Sequence, residues 1–180
     1  MPRVSYIEEK DHPEISDLIG KIKGGRGKLI NIYKLLLHSP PLTATWLEFI
    51  NATRKTKLNG RMRELAIVRV ATNAKYPYAL QQHVPNLAGR EGVTEAECAG
   101  LKDWRASGLF NEAERALLAY VDAVQASPDV PDDVFANVRK HFDEREVVEL
   151  TIIIGVYLMH HRVFTTLRVD VEPQAMNTMS

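Results

Sequence analysis

The stretch from Glu144 to Leu167 constrains the fold more than any other part of the chain. It has no proline and a single glycine, Gly155, and its apolar residues (Val147, Val148, Leu150, Ile152–Ile154, Val156–Met159) would cover the whole circumference of a helix. The β-branched content would also suit a strand, but an unbroken pattern of more than about 20 residues favours helix. A helix that is apolar on every side belongs at the centre of a bundle or in a subunit interface. Within it, Leu150 to Met159 is interrupted by Thr151 and Gly155 and falls well short of the roughly 20 residues needed to span a bilayer.

A central helix needs others around it, and helical signals fill the rest of the 180 residues. Pro13 suits a first turn, with Ile15, Leu18, Ile19 and Ile22 at helical spacing before a break at Gly24-Gly25-Arg26-Gly27. A second helix is predicted over 28–38, with Ser39-Pro40-Pro41 ending it, and a third over 42–54. The next two cover 61–74, with Leu65, Val68 and Ala71 as a stripe, and 78–91, which Pro85 should kink or split. Thr94 with Glu97 has the capping-box pattern for a short helix, Asn111 caps a longer one, and Pro131 opens another. The result is an all-α bundle of roughly eight helices. No repeat, low-complexity tract or long linker divides it, so residues 1–180 read as a single domain.

Charge narrows the partners. Lys+Arg 23 balance Asp+Glu 23, leaving no sustained positive field for nucleic acid or an anionic membrane surface. A neutral balance also removes one barrier to self-association. The lone cysteine, Cys98, excludes an intramolecular disulfide and a multi-thiolate zinc site, and it fits a reducing cytosol. Residues 1–11 lack the apolar core of a signal peptide, so a cytoplasmic location is expected.

Few residues can carry chemistry. The Gly24-Gly25-Arg26-Gly27 run follows a helix, and Lys28 lacks the Ser/Thr partner of a phosphate loop, so it reads as a turn. His160 and His161 project about 100° apart and cannot readily share a metal. No other histidine pair has ligand spacing, and no metal site is expected. One of the two would instead cap a buried seam. His38 ends a helix, where a cation suits the carbonyl dipole, and His12 and His141 read as surface residues. The cluster Arg54, Lys55, Lys57, Arg61 and Arg63 is free of acids until Glu64. It reads either as a solvated turn or, through Arg61 or Arg63, as a contact for an anionic substrate or partner subunit. Without interleaved aromatics it gives no support to nucleic-acid binding.

Glu64 and His83 form the most informative pair. At a rise of about 1.5 Å per residue, Glu64 lies about 16 Å before the Lys75-Tyr76-Pro77 turn and His83 about 12 Å after it. Antiparallel packing would therefore bring them to comparable heights. A carboxylate that orients an imidazole is a recurrent acid–base device. A structural Glu–Arg pair and a satisfied core histidine are the alternative.

At these residues the sequence resembles the carboxymuconolactone decarboxylase family, which shares its fold with alkylhydroperoxidase D. The resemblance is carried by Arg63-Glu64-Leu65-Ala66-Ile67-Val68-Arg69-Val70-Ala71, by Tyr76-Pro77-Tyr78-Ala79-Leu80-Gln81-Gln82-His83, and by Ala88 and Gly92-Val93-Thr94. Asn31-Ile32-Tyr33, His38-Ser39-Pro40 and Gly155-Val156-Tyr157 extend it to 28–171, leaving 1–27 as a helical extension and 172–180 as a frayed tail. The peroxidase branch carries Glu and then Cys-x-x-Cys-x-x-x-His. Here Glu64 and His83 match, but Tyr76 and Ala79 stand where the cysteines would, and neither can form a thiolate.

The resemblance therefore implies the decarboxylase branch, with loss of CO₂ from a small carboxylated lactone or related organic acid and no cofactor. It implies His83 as general acid/base, Glu64 as its orienter, Arg61 or Arg63 facing substrate charge, and Tyr33, Tyr76 and Tyr157 lining the pocket. It also implies a homo-oligomer, a trimer or hexamer. A peroxidase-related antioxidant protein, through Cys98, and a non-catalytic ligand-binding member are the alternatives.

Overall fold

The computed structural model describes residues 1–173, and all the regular structure among them is helical. Ten α-helical segments follow one another: α1 Ser16–Arg26, α2 Asn31–Leu36, α3 Pro40–Ala52, α4 Gly60–Asn73, α5 Pro77–Gln82, α6 Ala88–Arg90, α7 Glu95–Gly100, α8 Glu112–Ala126, α9 Asp132–Arg139 and α10 Glu144–Thr166. The all-α expectation holds, with short segments raising the count.

Helix ends follow the side-chain chemistry. Thr94, Asn111 and Asp143 each complete a capping box with the glutamate three residues on, so the first backbone N–H groups of α7, α8 and α10 are satisfied. Asn59 accepts from Met62 N at the start of α4. Two boundaries differ from the sequence reading. The glycines do not break α1, which runs through Gly24 and Gly25 to Arg26 and stops at Gly27, whose φ of 77° only glycine adopts without strain. Pro40 opens α3 instead of closing α2, because a proline costs nothing in a first turn.

Helix α4 is the axis of the bundle. Every residue from Arg63 to Ala71 is buried, wider than the stripe that its apolar periodicity suggests. It packs mainly against α10 and α8. Leu65, Val68, Leu117, Val121, Leu150 and Ile154 are fully enclosed in the core they share. Helix α10, at 23 residues, is long and apolar enough on length and composition alone to cross a membrane. It is instead a core helix on one face only: Leu150, Ile153 and Phe164 are sealed, while Val148, Ile152 and Met159 face solvent.

The N-terminal 27 residues are integral to the packing. Ile19 and Ile22 of α1 are fully buried with Tyr33, Leu37 and Leu47 in a second cluster. The expected tail is likewise anchored where it begins. Glu172 is buried, accepting from Asn31 N at 2.7 Å and from Tyr78 Oη at 2.6 Å, while its own N–H donates to Gln81 Oε1 at 2.8 Å. The rest of that tail, 174–180, lies outside the described residues.

The connection from α4 to α5 decides where the site residues fall. Lys75 N–H donates to Thr72 O at 3.2 Å and Tyr76 N–H to Ala71 O at 2.9 Å, the paired bonds of a Schellman cap with Lys75 at φ 51°. A side chain in that left-handed region is strained, and Lys75 is exposed with nothing to lose. Lys75→Gly is expected to raise the unfolding free energy by about 0.5–1 kcal/mol, net of glycine's greater entropy when unfolded. A higher urea midpoint at constant m-value would establish this; an unchanged midpoint would contradict it.

Candidate functional site

Glu64 sits in the second turn of α4 with its carboxylate enclosed by the bundle, and His83 follows the last residue of α5. From His83 to Leu87 the backbone adopts a π turn, as Pro85 has no N–H with which to continue the α-helical ladder. The kink expected at this proline is thus a local widening, and His83 stands at its first position. The two side chains meet: His83 Nδ1 lies 2.6 Å from Glu64 Oε2, with both residues buried. On the other side of the ring, Tyr157 Oη of α10 lies 3.0 Å from His83 Nε2, and the rings cross edge-to-face at 5.3 Å. A carboxylate can only accept, so Nδ1 donates to Glu64 and Nε2 accepts from the Tyr157 hydroxyl.

This arrangement borders a cavity of about 540 Å³ between the N-terminal cluster and the start of α5. Tyr33, Trp46, Tyr76, Tyr78 and Tyr157 form aromatic walls, and Arg26, Lys28, Arg54 and Arg90 bring cations to it. No aspartate or glutamate lines it among the described residues. Lys28 lies 3.7 Å from Glu172, and Arg26 touches only Gly25 O and Tyr33 Oη. The guanidinium groups of Arg54 and Arg90 have no hydrogen-bond or carboxylate partner among the described residues. Desolvation by the crowded walls, and then repulsion from Arg26, lower the pKa of Arg54, although part of its side chain meets solvent. Uncompensated guanidinium groups in a partly desolvated cavity favour an anion.

The expected site residues divide. Tyr33, Tyr76 and Tyr157 line the cavity with His83. Arg61 and Arg63 do not. Arg61 pairs with Glu97 and, at 2.7 Å, with Glu114, and it also donates to Gly92 O. That contact holds the Glu97 carboxyl down to about 2. Arg63 is committed to Glu91 at 2.7 Å, with Glu64 3.7 Å away. Both are structural cations whose partners come from distant segments. The cation of that cluster that does reach the cavity is Arg54, which the sequence reading left among the solvated residues. Its position after α3, one turn beyond the buried Ile50, was the available signal.

Of the adjacent histidines, His160 is the buried one. It stacks on Trp46 at 5.0 Å, and neither His160 Nε2 nor Trp46 Nε1 has a hydrogen-bond partner among the described residues. Burial and the nearby His83 lower its pKa to about 3, so it is neutral. His161 leans on Tyr76. Among the described residues no cluster of histidine, cysteine and carboxylate ligands has the arrangement of a metal site. Cys98 lies in the main core, away from the cavity, and burial pushes its thiol pKa up.

Comparison with known proteins places the fold. The model of the carboxymuconolactone decarboxylase family matches residues 40–123. The uncharacterized protein YnjA of Escherichia coli (strain K12) is 30% identical over 112 residues, which span 62% of this chain and 59% of YnjA. The fold is that of ATU0492 from Agrobacterium tumefaciens, a protein of unknown function ascribed to AhpD-type antioxidant defence. That structure is 28% identical with a TM-score of 0.72 and covers 81% of this chain and 98% of its own. An uncharacterized peroxidase-related protein from Ralstonia eutropha JMP134, solved as an alkylhydroperoxidase AhpD core, gives a TM-score of 0.81 at 16% identity, over 96% of this chain and 93% of that one. The bundle is therefore an alkylhydroperoxidase D-like fold. Over residues 40–123 the chain is similar to the carboxymuconolactone decarboxylase family, and it has a single cysteine, Cys98.

His160 provides a test of the buried seam. Its pKa falls from 6.5 to about 3 on folding, so between those values the unfolded chain binds a proton that the folded chain refuses. Its contribution is complete above pH 6.5 and is lost as the pH falls through that window. His160→Phe should therefore lose thermal stability less steeply than the parent between pH 7 and pH 4. Parallel melting profiles would refute the assignment.

Proposed function

We propose that the protein is a cofactor-free, decarboxylase-type enzyme acting on a small carboxylated lactone or related organic acid. The observation that carries this reading is the aromatic cavity with unpaired guanidinium groups, no lining carboxylate among the described residues, and His83 at its wall with Glu64 bound behind it. A carboxylate substrate is drawn by Arg26, Arg54 and Arg90, and the tyrosine and tryptophan walls displace its water. Desolvation disfavours the localised carboxylate relative to the delocalised charge of the product anion. The C–CO₂⁻ bond breaks, its electron pair enters the conjugated carbonyl, CO₂ leaves, and the resulting carbanion takes one proton from the acid/base group, which regains it from solvent. His83 supplies that acid/base function, with Glu64 fixing its tautomer and ring orientation.

The peroxidase alternative loses its chemical basis here. Tyr76 and Ala79 occupy the family's cysteine positions, and Cys98 is a buried core residue with a raised pKa. A non-catalytic ligand-binding role would leave the same cavity without turnover, and activity separates the two. Arg54→Met is expected to raise KM for a carboxylated γ-lactone more than it lowers kcat. His83→Ala should lower CO₂ release by about 10²-fold or more. Full activity in His83→Ala would remove the site assignment.

A cytoplasmic homo-oligomer, a trimer or hexamer, belongs to the same reading. Val148, Ile152 and Met159 are 57%, 45% and 36% exposed along one side of α10, and a second copy of the chain would cover them. The double substitution Val148→Asp/Ile152→Asp should yield a monomer by sedimentation, and an unchanged mass would argue against this face.

A further inference from the structure

His83 has two ring nitrogens, and both are spent. Nδ1 is bound to Glu64 at 2.6 Å and Nε2 to the Tyr157 hydroxyl at 3.0 Å. A ligand in the cavity therefore meets no free nitrogen on the imidazole. It does meet the phenol oxygen of Tyr157, which has committed its proton to Nε2 but keeps lone pairs free to accept. We propose that Tyr157 is the residue that exchanges protons with the ligand, and that His83 acts only through it, in a Glu64–His83–Tyr157 relay.

This deepens the acid/base reading above and rests on it. The ring of Tyr157 is fixed between His83, at 5.3 Å, and His160, at 5.1 Å, so its hydroxyl has little freedom to leave the relay. Burial, followed by the Glu64 charge, raises its pKa, while Arg54, Arg63 and Arg26 act in the opposite sense. The phenol is therefore protonated at rest, and the cations beside the cavity offset part of the cost of any charge that develops on it.

The transfers balance. In the resting arrangement a C–H proton of the ligand passes to the Tyr157 oxygen as the phenol's own proton passes to His83 Nε2. The C–H electron pair enters the ligand's conjugated carbonyl, and the imidazolium is held by the Glu64 carboxylate. Reprotonation is the reverse: the dienolate carbon takes the Tyr157 proton while the oxygen takes the Nε2 proton of the imidazolium. The phenol is neutral after either transfer, so the charge change falls on His83, where Glu64 compensates it.

The experiment uses the intact protein and α-angelica lactone, a β,γ-unsaturated γ-lactone, in D₂O. Conversion to the conjugated isomer and deuterium incorporation are followed by NMR. The parent protein should accelerate both, and Tyr157→Phe should slow them by about 10²-fold with an unchanged circular dichroism spectrum. His83→Gln should be equally slow. If Tyr157→Phe keeps the parent rate, His83 acts directly once its Nε2 is uncovered, so the relay is wrong while the acid/base site stands. If the parent protein is inert, the acid/base reading falls and the relay falls with it. A ¹⁵N correlation spectrum of the His83 ring is a second measurement that needs no variant. The relay requires the neutral tautomer protonated at Nδ1, and a neutral ring protonated at Nε2 overturns it.

Discussion

Helix α4 is buried along nine consecutive residues, three of which, Arg63, Glu64 and Arg69, are ionisable. The rest of the structure follows from that constraint. An ionised group taken out of water needs a partner, because the uncompensated charge would cost several kcal/mol. Arg69 is met by both carboxylate oxygens of Asp122 from α8, at 2.7 and 3.0 Å, Arg63 by Glu91 just past α6, and Glu64 by His83. Each pairing fixes a different neighbour against α4. Two of them tie down the bundle. The third has an aromatic cavity beyond its far member, so there the compensated pair stands where a ligand can approach it.

The cavity shows the opposite condition. Its cations are left largely without carboxylates, which is affordable only because Arg54 and Arg90 keep contact with solvent. An arginine in that state loses little when free and gains a charge-assisted, bidentate contact when an anion arrives. Around it the walls are tyrosine and tryptophan, able to stack on a flat, unsaturated ring while excluding water. The neutral, stacked His160 extends this apolar character to the inner end. Positive charge at the rim and aromatic walls within together suit a flat organic anion.

Much of this was legible in the sequence, for physical reasons that can be named. Helices α4, α8 and α10 have long periodic patterns and strong caps, so local chemistry alone identifies them. Glu64 and His83 could be paired because one short turn joins their helices and makes the packing antiparallel. Arg61 and Arg63 could not be placed, as nothing local indicates that Glu97, Glu114 and Glu91 come back to meet them from 28 to 53 residues away. A run of basic residues reads the same whether solvated, paired or facing a ligand. The roles of Trp46, Arg54 and His160 were hidden for the same reason, since each depends on α3 and α10 meeting across the bundle. The N-terminal residues looked peripheral because their apolar spacing reveals a buried face but not its partner.

The segment matched by the family model, 40–123, supplies Glu64 and His83 together with Trp46, Arg54 and Tyr76. Arg26, Tyr33, Tyr157 and His160 come from outside it, from the two ends of the chain. The site is thus built from two sources. The matched segment provides the buried carboxylate–imidazole pair. The flanking helices decide what reaches that pair: α1 and α2 through a guanidinium and a phenol, α10 through the aromatic group on His83 Nε2. In this chain Tyr76 and Ala79 precede His83, and Tyr157 of α10 covers its Nε2. The chemistry available to this chain is therefore set as much by what covers His83 as by the Glu–His pair.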